Sequence, residues 1–197
     1  MGRFDMSVTI VTSLYDINRS NLDGRTWDQY LQWFAKTLQL KSPMVVFVDK
    51  NLVEFVKEHR NNLPTKIVEE PIDKIPYYHL KEKIDDVIES EEYQSKISDP
   101  KRIECKSSLY NIIQYSKFGW LEKVADKNCF NSEYFLWVDA GLSRFFYDIN
   151  LNNPYPGENA KQSLMNIKDS ILIQVFLSYY PNLANAKELP KDYLKDN

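Results

Sequence analysis

The sequence predicts an α/β protein with a mostly parallel sheet that helices cover on both faces. Three strand-like runs alternate with two helical patterns over about the first seventy residues, and this alternation is typical of parallel strands joined by right-handed crossovers. A further aromatic and β-branched run, 134–138, ends on Asp139-Ala140-Gly141. Ligands of such sheets bind at the carboxyl edge of the strands, so Asp139 is a candidate functional side chain. The alternative is that Asp139 only forms a turn before glycine.

The first strand and helix are predicted from composition and spacing. Residues 7–13 are rich in β-branched side chains and lead into a polar loop, 20–25, that contains Asp23-Gly24. From Thr26 onward an amphipathic helix is predicted by apolar residues on one face, namely Trp27, Tyr30, Leu31, Phe34 and Leu38.

Two more strands follow in the first seventy residues. The nearly continuous apolar run 44–48 indicates a strand covered on both faces, and residues 66–69 predict a shorter one. Asn51 is the expected cap of the intervening helix, with Glu54 three residues later. No glycine-rich phosphate loop follows the first strand, which argues against dehydrogenases and P-loop NTPases.

The middle of the chain is helical and polar. One amphipathic helix is indicated by Leu80, Ile84, Val87 and Ile88. Asp99-Pro100 is a helix start signal, and Gly119 predicts a kink or a join between two helices. Farther on, residues 171–176 predict another strand, and the polar tail from 182 is expected to fray.

Composition predicts one soluble domain over residues 1–197. Hydrophobic residues make up 43% and charged residues 27%, as in ordinary globular proteins. The net charge of −3 has both signs interspersed, so no basic field for nucleic acid or anionic membrane is present. The polar N-terminus lacks the apolar core of a signal peptide, and no apolar run is long enough to span a membrane. Cys105 and Cys129 lie outside any metal-type spacing, so we expect a cytoplasmic protein with reduced thiols.

Side chains at the predicted sheet edge suit a nucleoside diphosphate. A divalent cation that bridges a diphosphate needs only one or two carboxylates, and Asp139 is placed to supply one. After the first strand, Asp16 would accept hydrogen bonds from a base or ribose, and Arg19 would make bidentate contacts to phosphate. Tyr15 offers a ring for base stacking. The alternative for Asp16 and Arg19 is a local ion pair or turn.

The helical segment before residue 134 could cover the same pocket. It carries Lys106, Asn111 and Lys117. Lys117 is a candidate phosphate contact, against the alternative of a solvated helix lysine. His59 and His79 form neither a triad nor a metal spacing, and no serine lies in a G-x-S-x-G elbow, so nothing supports nucleophilic hydrolysis.

Four segments, in this order and spacing, resemble the HtrL/YibB family: residues 11–19, 44–49, 110–118 and 136–141. The resemblance covers most of the chain, clearly from about residue 8 to 146. Asp-Ile-x-Arg at 16–19 and Trp-Val-Asp-Ala-Gly at 137–141 are fairly specific together.

That family is similar to the GT-A glycosyltransferases, which have a Rossmann-like nucleotide-binding fold and an Asp-x-Asp motif that holds Mn²⁺ or Mg²⁺ on the donor diphosphate. The resemblance implies transfer of a sugar from a nucleotide sugar, a UDP-sugar first, to a glycan, glycolipid or glycoprotein acceptor. It implies that Asp139 binds the metal. It also implies that Tyr15, Asp16 and Arg19 bind the nucleotide, and that Lys106 or Lys117 binds the phosphates or the sugar.

The sequence departs from the family motif at its second acidic position, which is Gly141. Ser143 or Asp148 could compensate, and no histidine follows Asp139 to act as a further ligand. No catalytic residue is assigned, and Asp148 and Glu158 are candidate bases by position only.

Three readings of the chain as a whole stay open. The first is a single GT-A-like domain or the donor half of a longer protein. The second is a non-catalytic nucleotide-sugar or glycan-binding module. The third is a nucleotidyltransferase, whose usual glycine-rich basic loop is missing after the first strand.

Overall fold

The computed structural model describes residues 7–146 and 150–165, the last three of these by their backbone alone. Its strands are β1 (Val8–Leu14), β2 (Met44–Val48), β3 (Thr65–Glu69) and β4 (Tyr134–Trp137). Its helices are α1 (Ser20–Asp23), α2 (Trp27–Thr37), α3 (Val53–Arg60), α4 (Lys81–Glu89), α5 (Glu91–Lys96), α6 (Ser108–Lys127) and α7 (Glu158–Met165). Short 3₁₀ turns occupy Lys50–Leu52, Ile72–Lys74, Tyr78–Leu80, Ile103–Cys105 and Leu142–Phe145.

The four described strands form one parallel sheet in the order β3-β2-β1-β4, which confirms the predicted α/β class. In the central strand, Ile10 is in register with Met44 of β2 and with Leu136 of β4. Every residue of β1 and β2 is buried, whereas β4 is only half-buried. The run 134–138 does form a strand, but the prediction that this strand is buried is wrong, because β4 pairs with only one neighbour among the described strands and stays half-buried.

Helices cover both faces of this sheet, as predicted. Successive residues of each strand point to opposite faces, so Val46 joins one core cluster while Val45 and Phe47 join the other. The first cluster packs against α2 and α3 through Phe34, Leu38 and Val56. The second packs against α6 through Ile112, Trp120 and Val124.

The predicted start of α2 is confirmed in detail. The Thr26 hydroxyl accepts a hydrogen bond from the Gln29 backbone N–H, and the Gln29 side chain accepts one from the Thr26 N–H, which together form a capping box. The prediction that Asn51 caps α3 is wrong. Asn51 lies inside a 3₁₀ turn that continues directly into α3, so Leu52 occupies the cap position without a side-chain hydrogen bond.

Asp99-Pro100 does not begin a helix, contrary to the prediction. The Asp99 carboxylate accepts from the Lys101 backbone N–H at 3.1 Å, which makes a local turn. The long helix α6 begins after Ser107, whose hydroxyl accepts from the Tyr110 N–H at 3.2 Å. The helix therefore begins at the Ser107 cap and not at the predicted Asp99 cap.

Gly119 does not divide α6, which runs unbroken from Ser108 to Lys127. A Cβ atom added to Gly119 would lie 2.9 Å from the Pro76 Cβ. Nearby, the Ser116 hydroxyl donates to the Pro76 carbonyl oxygen. The glycine therefore allows close packing of α6 on the segment before α4.

Arg60 ties the carboxyl end of α3 to the start of β3. Although the residue is only 1% exposed, its guanidinium donates to the carbonyls of Leu38, Leu40, Ser42 and Pro64 and to the Thr65 hydroxyl. Burial lowers the pKa of Arg60 to about 10, so the group stays charged at neutral pH. These five bonds compensate a buried charge that has no carboxylate partner among the described residues.

The chain divides into two compact units, 1–157 and 158–197, and α7 is the described part of the second. Within the described ranges, no helix has both the length and the apolarity that a membrane crossing requires. The predicted strand at 171–176 lies outside the described residues.

Replacement of Gly119 by alanine tests the close packing against Pro76. Helix propensity alone would raise the free energy of unfolding by about 1 kcal/mol, whereas overpacking a tight contact costs about 1–3 kcal/mol. We expect Gly119→Ala to lower the free energy of unfolding by about 1 kcal/mol in urea titration. Ala125→Gly, at an exposed site on the same helix, measures the propensity effect alone. A Gly119→Ala protein more stable than the wild type would contradict this packing.

Candidate functional site

A cleft lies between the carboxyl ends of β1 and β4, where the order of the strands reverses. From β1 the chain moves outward to β2 and β3, and then returns to the other side of β1 to form β4. In open α/β sheets, ligands bind at this switch point because the flanking connections lie on opposite faces and leave a crevice. The cavity there has a volume of about 210 Å³.

Four segments line the cleft: the loop after β1, the start of α2, one face of α6 and the loop after β4. The polar and aromatic lining residues are Ser13, Tyr15, Asp16, Asn18, Arg19, Ser20, Arg25, Trp27, Tyr30, Tyr110, Gln114, Lys117, Trp137, Asp139, Arg144 and Phe145.

Asp139 lies two residues beyond β4 at the rim of the cleft, as predicted. Its Oδ1 atom accepts hydrogen bonds from the Lys117 Nζ at 2.8 Å and from the Trp137 Nε1 at 2.7 Å. The Lys117 ammonium also lies 5.7 Å from the centre of the Trp137 ring. The Lys117 side chain is 19% exposed and that of Asp139 58% exposed. Lys117 is therefore a fixed, half-buried cation rather than a solvated helix lysine.

A stack of aromatic rings holds Trp137 in place. The Trp137 ring lies parallel to that of Trp120 at 5.6 Å, and Trp120 stacks in turn on Tyr15 and Phe47. The Trp120 Nε1 donates to the Glu70 carboxylate at 2.7 Å. Because Lys117 and Trp120 are three residues apart on α6, they lie on the same side of the helix. The stack therefore positions both groups that hold Asp139.

Helix α2 holds the loop after β4 from the opposite side. The Thr37 hydroxyl donates to the Ala140 carbonyl at 2.9 Å, and the Ser143 hydroxyl donates to the Trp33 carbonyl at 2.7 Å. A Cβ atom at Gly141 would lie 3.4 Å from the Trp33 ring, so this turn packs directly against α2. Asp139 is thus held between α6 and α2.

Arg19 spans the mouth of the cleft instead of pointing freely into it. Its guanidinium makes a bidentate ion pair with Asp23 and lies 5.6 and 5.0 Å from the ring centres of Tyr30 and Tyr110. Burial alone would lower the pKa of Arg19, but the hydrogen bonds and charges around it raise the pKa above its ordinary value. The local ion pair considered for Arg19 is present, and the residue also lines the cleft.

Asp16 shapes the loop after β1. Its Oδ1 atom accepts from the Asn18 backbone N–H at 2.8 Å, and Asn18 has a left-handed conformation with φ of 57°. The Asp16 side chain remains exposed at the cleft rim. The residue therefore combines the predicted turn with a position that a ligand can reach.

Tyr15 lines the cleft, but its ring belongs to the core. The residue is 5% exposed, stacks on Trp120 and donates its phenolic hydrogen to the Glu70 carbonyl at 3.1 Å. Burial, reinforced by the charges of Glu70 and Asp49, raises the pKa of Tyr15. The ring and the hydroxyl of Tyr15 are thus both used in core packing. The predicted use of this ring for base stacking does not fit its placement.

Lys106 is exposed just before α6 and does not belong to the cleft lining. Asn111 also turns away, since its amide donates to the Glu104 carbonyl at 2.8 Å. Of the lysines proposed for phosphate, the structure thus brings Lys117 to Asp139 and leaves Lys106 outside.

Sequence reasoning missed several cleft residues, among them Arg25, Tyr30, Tyr110, Gln114 and Arg144. The spacing of Tyr110, Gln114 and Lys117 at i, i+4 and i+7 marks one helix face and could have found the first two. Arg144 follows the Asp-Ala-Gly turn by three residues, and only the 3₁₀ turn at 142–145 brings it back to the cleft.

The cleft has the opposite charge sign to the whole chain. Its lining has four cations, Arg19, Arg25, Lys117 and Arg144, and two carboxylates, Asp16 and Asp139. Asp23 pairs with Arg19 and lies 3.8 Å from Arg25. Counting all three carboxylates, the cleft region has one excess positive charge, in a chain whose net charge is −3. This arrangement favours an anionic ligand.

A buried hydroxyl at the end of β1 has no partner among the described residues. Ser13 is 6% exposed and lines the cleft, and its Oγ atom makes no hydrogen bond there. Buried polar groups in native proteins are nearly always paired. A ligand in the cleft would give this hydroxyl the partner it lacks.

One oxygen of the Asp139 carboxylate is already engaged by protein donors, which disfavours a divalent cation beside it. Asp139 Oδ1 is already taken by two donors, the Ser143 hydroxyl is used on Trp33, and Asp148 lies outside the described residues. No group of three potential ligands from His, Cys, Asp and Glu exists in the described part of the chain. Two like unit charges about 4 Å apart near a protein surface repel by about 4 kcal/mol, and a divalent ion beside Lys117 doubles that figure. The Mn²⁺ or Mg²⁺ implied by the family resemblance stays a prediction.

Asp23 should contribute to the pH dependence of stability. Partial burial raises the pKa of Asp23, but the hydrogen bonds and charge of Arg19 and Arg25 outweigh this effect, so its pKa lies below the ordinary value. Its stabilising contribution is therefore present above about pH 4 and is lost as the pH falls further. We expect the free energy of unfolding of Asp23→Asn to fall less between pH 5 and about pH 3 than that of the wild type. Urea titrations at each pH measure this difference.

The control for this experiment is Asp86→Asn, an exposed α4 position with no ion pair among the described residues. It should keep the acid dependence of the wild type. Identical pH profiles for Asp23→Asn and the wild type would contradict the role of the Arg19–Asp23 pair.

Comparison with known proteins identifies a family and nothing closer. No curated protein and no solved structure matches the chain. The family model HtrL_YibB, described as a bacterial protein of unknown function, matches residues 6–179. This span includes the Asp-Ile-Asn-Arg loop after β1, the cleft face of α6 and the Asp-Ala-Gly turn after β4. The chain therefore belongs to the HtrL/YibB family.

Proposed function

We propose that this protein is a GT-A-like glycosyltransferase that takes a sugar from a nucleotide-sugar donor, with UDP-sugars as the first donors to test. The observation that carries the proposal is the cationic cleft at the switch point of a parallel sheet, in a chain that is acidic overall. A nucleoside diphosphate group is the anionic ligand that best matches this position and charge.

The cleft offers a group for each part of such a donor. The rings of Tyr30 and Tyr110 present aromatic surface for a base, and the cations suit the diphosphate. Asp16 and the unpaired Ser13 hydroxyl suit the hydroxyl groups of ribose or sugar. Ligand pockets commonly measure about 300–1,000 Å³, whereas this cavity measures about 210 Å³. We therefore expect it to enclose part of the donor, with the remainder exposed to solvent.

The proposed reaction requires charge stabilisation at the leaving group. The acceptor hydroxyl oxygen bonds to the anomeric carbon, and the bond from that carbon to the β-phosphate oxygen breaks. The electron pair remains on the nucleoside diphosphate, and the hydroxyl proton passes to a base or to solvent. Fixed cations beside the diphosphate lower the barrier by stabilising this developing charge. The acceptor, which the family resemblance suggests is a glycan, glycolipid or glycoprotein, stays a prediction, as does the cytoplasmic location.

No catalytic base is assigned among the described residues of the first unit. Asp148 lies outside the described residues, and Glu158 begins α7 in the second unit. The Oδ1 atoms of Asp16 and Asp139 are both already hydrogen-bonded. The glycine at position 141, where the family motif has its second carboxylate, favours the second candidate function, a nucleotide-sugar-binding module without turnover.

Ser13→Ala should have opposite effects on stability and on binding. Removal of a buried unpaired hydroxyl leaves the free energy of unfolding unchanged or raises it by up to about 1 kcal/mol. The same change removes a ligand contact and should weaken UDP binding by about fivefold or more. Thr12→Val is the matched control, because the Thr12 hydroxyl is also buried and unpaired among the described residues but does not line the cleft. Equal UDP affinity in both variants would remove Ser13 from the site.

Calorimetric titration of the wild type with UDP, GDP and CDP tests the donor site. We expect one nucleoside diphosphate to bind, and Lys117→Met to weaken it at least about tenfold through loss of a charged hydrogen-bond donor. Lys36→Met, at an exposed α2 position away from the cleft lining, removes the same charge and should bind within about twofold of the wild type. Absence of binding by all three nucleotides would refute the proposal.

Turnover distinguishes the two candidate functions. Incubation of the protein with UDP-sugars and a mixture of glycan acceptors should release UDP if the chain is a transferase. Tight binding of a UDP-sugar without release of UDP would favour the binding module.

A further inference from the structure

Lys117 provides a positive charge at the Asp139 carboxylate, beside the Oδ1 atom. Its ammonium bonds to Asp139 Oδ1 at 2.8 Å and is fixed over the Trp137 ring. Since the Lys117 side chain is largely buried and anchored through α6, the carboxylate charge of Asp139 already has its counterion. Asp139 is thus arranged to hold a lysine.

Arg144 is the cleft cation without a carboxylate partner among the described residues. Its guanidinium lies 5.5 Å from the centre of the Trp33 ring and 4.7 Å from that of Phe145, and the residue is exposed. The other two cleft arginines, Arg19 and Arg25, both lie near Asp23. A guanidinium held between aromatic faces keeps its N–H groups available, and its planar fork matches two phosphate oxygens.

We infer that Lys117 and Arg144 together bind the diphosphate of the donor in place of a divalent cation, and that Asp139 is a positioning residue for Lys117. This inference rests on the proposed nucleotide-sugar function and specifies its leaving-group chemistry. Lys117 belongs to α6 and Arg144 to the turn after β4, and both side chains line the same cleft as Asp139. Together they supply two positive charges, as one Mg²⁺ or Mn²⁺ would.

The metal-bound and lysine-bound alternatives predict opposite results for Asp139→Asn. If Asp139 holds a metal, the variant loses nucleotide binding, and binding by the wild type requires the ion. If Asp139 positions Lys117, the variant removes a negative charge from the cleft, while the asparagine amide oxygen still accepts the hydrogen bond that positions Lys117. UDP should then bind as tightly as in the wild type or up to about tenfold more tightly.

The experiment is calorimetric titration of UDP into the wild type, Asp139→Asn, Arg144→Gln and Arg144→Lys, each with EDTA and with Mn²⁺. We expect UDP affinity to differ by less than about threefold between EDTA and Mn²⁺. Arg144→Gln should weaken binding at least about tenfold, and Arg144→Lys should lie between it and the wild type because it keeps the charge and loses the fork. Asp86→Asn and Arg102→Gln, exposed changes outside the cleft lining, control for net charge.

Three results would overturn the inference while leaving the donor proposal intact. The first is UDP binding that depends on Mn²⁺, and the second is loss of UDP binding in Asp139→Asn with unchanged thermal unfolding. The third is unchanged UDP binding in Arg144→Gln, which would remove Arg144 from the site. Inorganic pyrophosphate in EDTA is the second probe. Arg144-dependent binding of pyrophosphate without binding of any nucleotide would support the cationic diphosphate site and refute the donor proposal. Failure of both probes would refute both.

Discussion

The packing of Trp120 between α6 and the sheet is the interaction on which the cleft depends. Trp120 is fully buried, and its ring contacts those of Tyr15 on β1's carboxyl side, Phe47 on β2 and Trp137 on β4. Its N–H bond to Glu70 fixes the orientation of the indole. A ring that contacts three neighbouring strand positions sets both the rotation and the height of α6. This packing positions Lys117 and the Trp137 N–H. These two donors in turn position Asp139.

The second wall of the cleft is built by α2, so the site is a product of core packing on both faces of the sheet. The capping box at Thr26 sets where α2 begins, and Thr37 near its other end holds the Ala140 carbonyl. Since no glycine-rich loop supplies backbone N–H groups for a phosphate, positive charge must come from side chains. Those side chains are positioned by rings: Arg19 between two tyrosines, and Arg144 between Trp33 and Phe145.

The parts of the structure that local patterns determine were predictable from the sequence. The apolar run 44–48, the periodicity after Thr26 and the place of Asp139 beyond the last described strand depend on neighbours in the chain, and each is confirmed. The start of α6 and the role of Gly119 were not predictable, because they depend on contact with Pro76 and on competing caps. The role of Tyr15 was not predictable for the same reason. Its position at the end of a strand predicts a ligand contact, whereas its ring stacks on Trp120 in the core.

The departure of the Asp-Ala-Gly turn from an Asp-x-Asp motif has a physical counterpart in the structure. Position 141 holds a glycine where the motif has its second carboxylate, and a Cβ atom added there would lie 3.4 Å from the Trp33 ring and 3.6 Å from the Tyr30 ring. The packing of Trp120 brings Lys117 to the first carboxylate of the motif, Asp139. Both features are present before any ligand binds. A cation fixed in this way is preorganised, and it needs no reorganisation when negative charge develops on a leaving group. The same core contacts that define the fold thus favour a cleft whose charge is supplied by lysine and arginine.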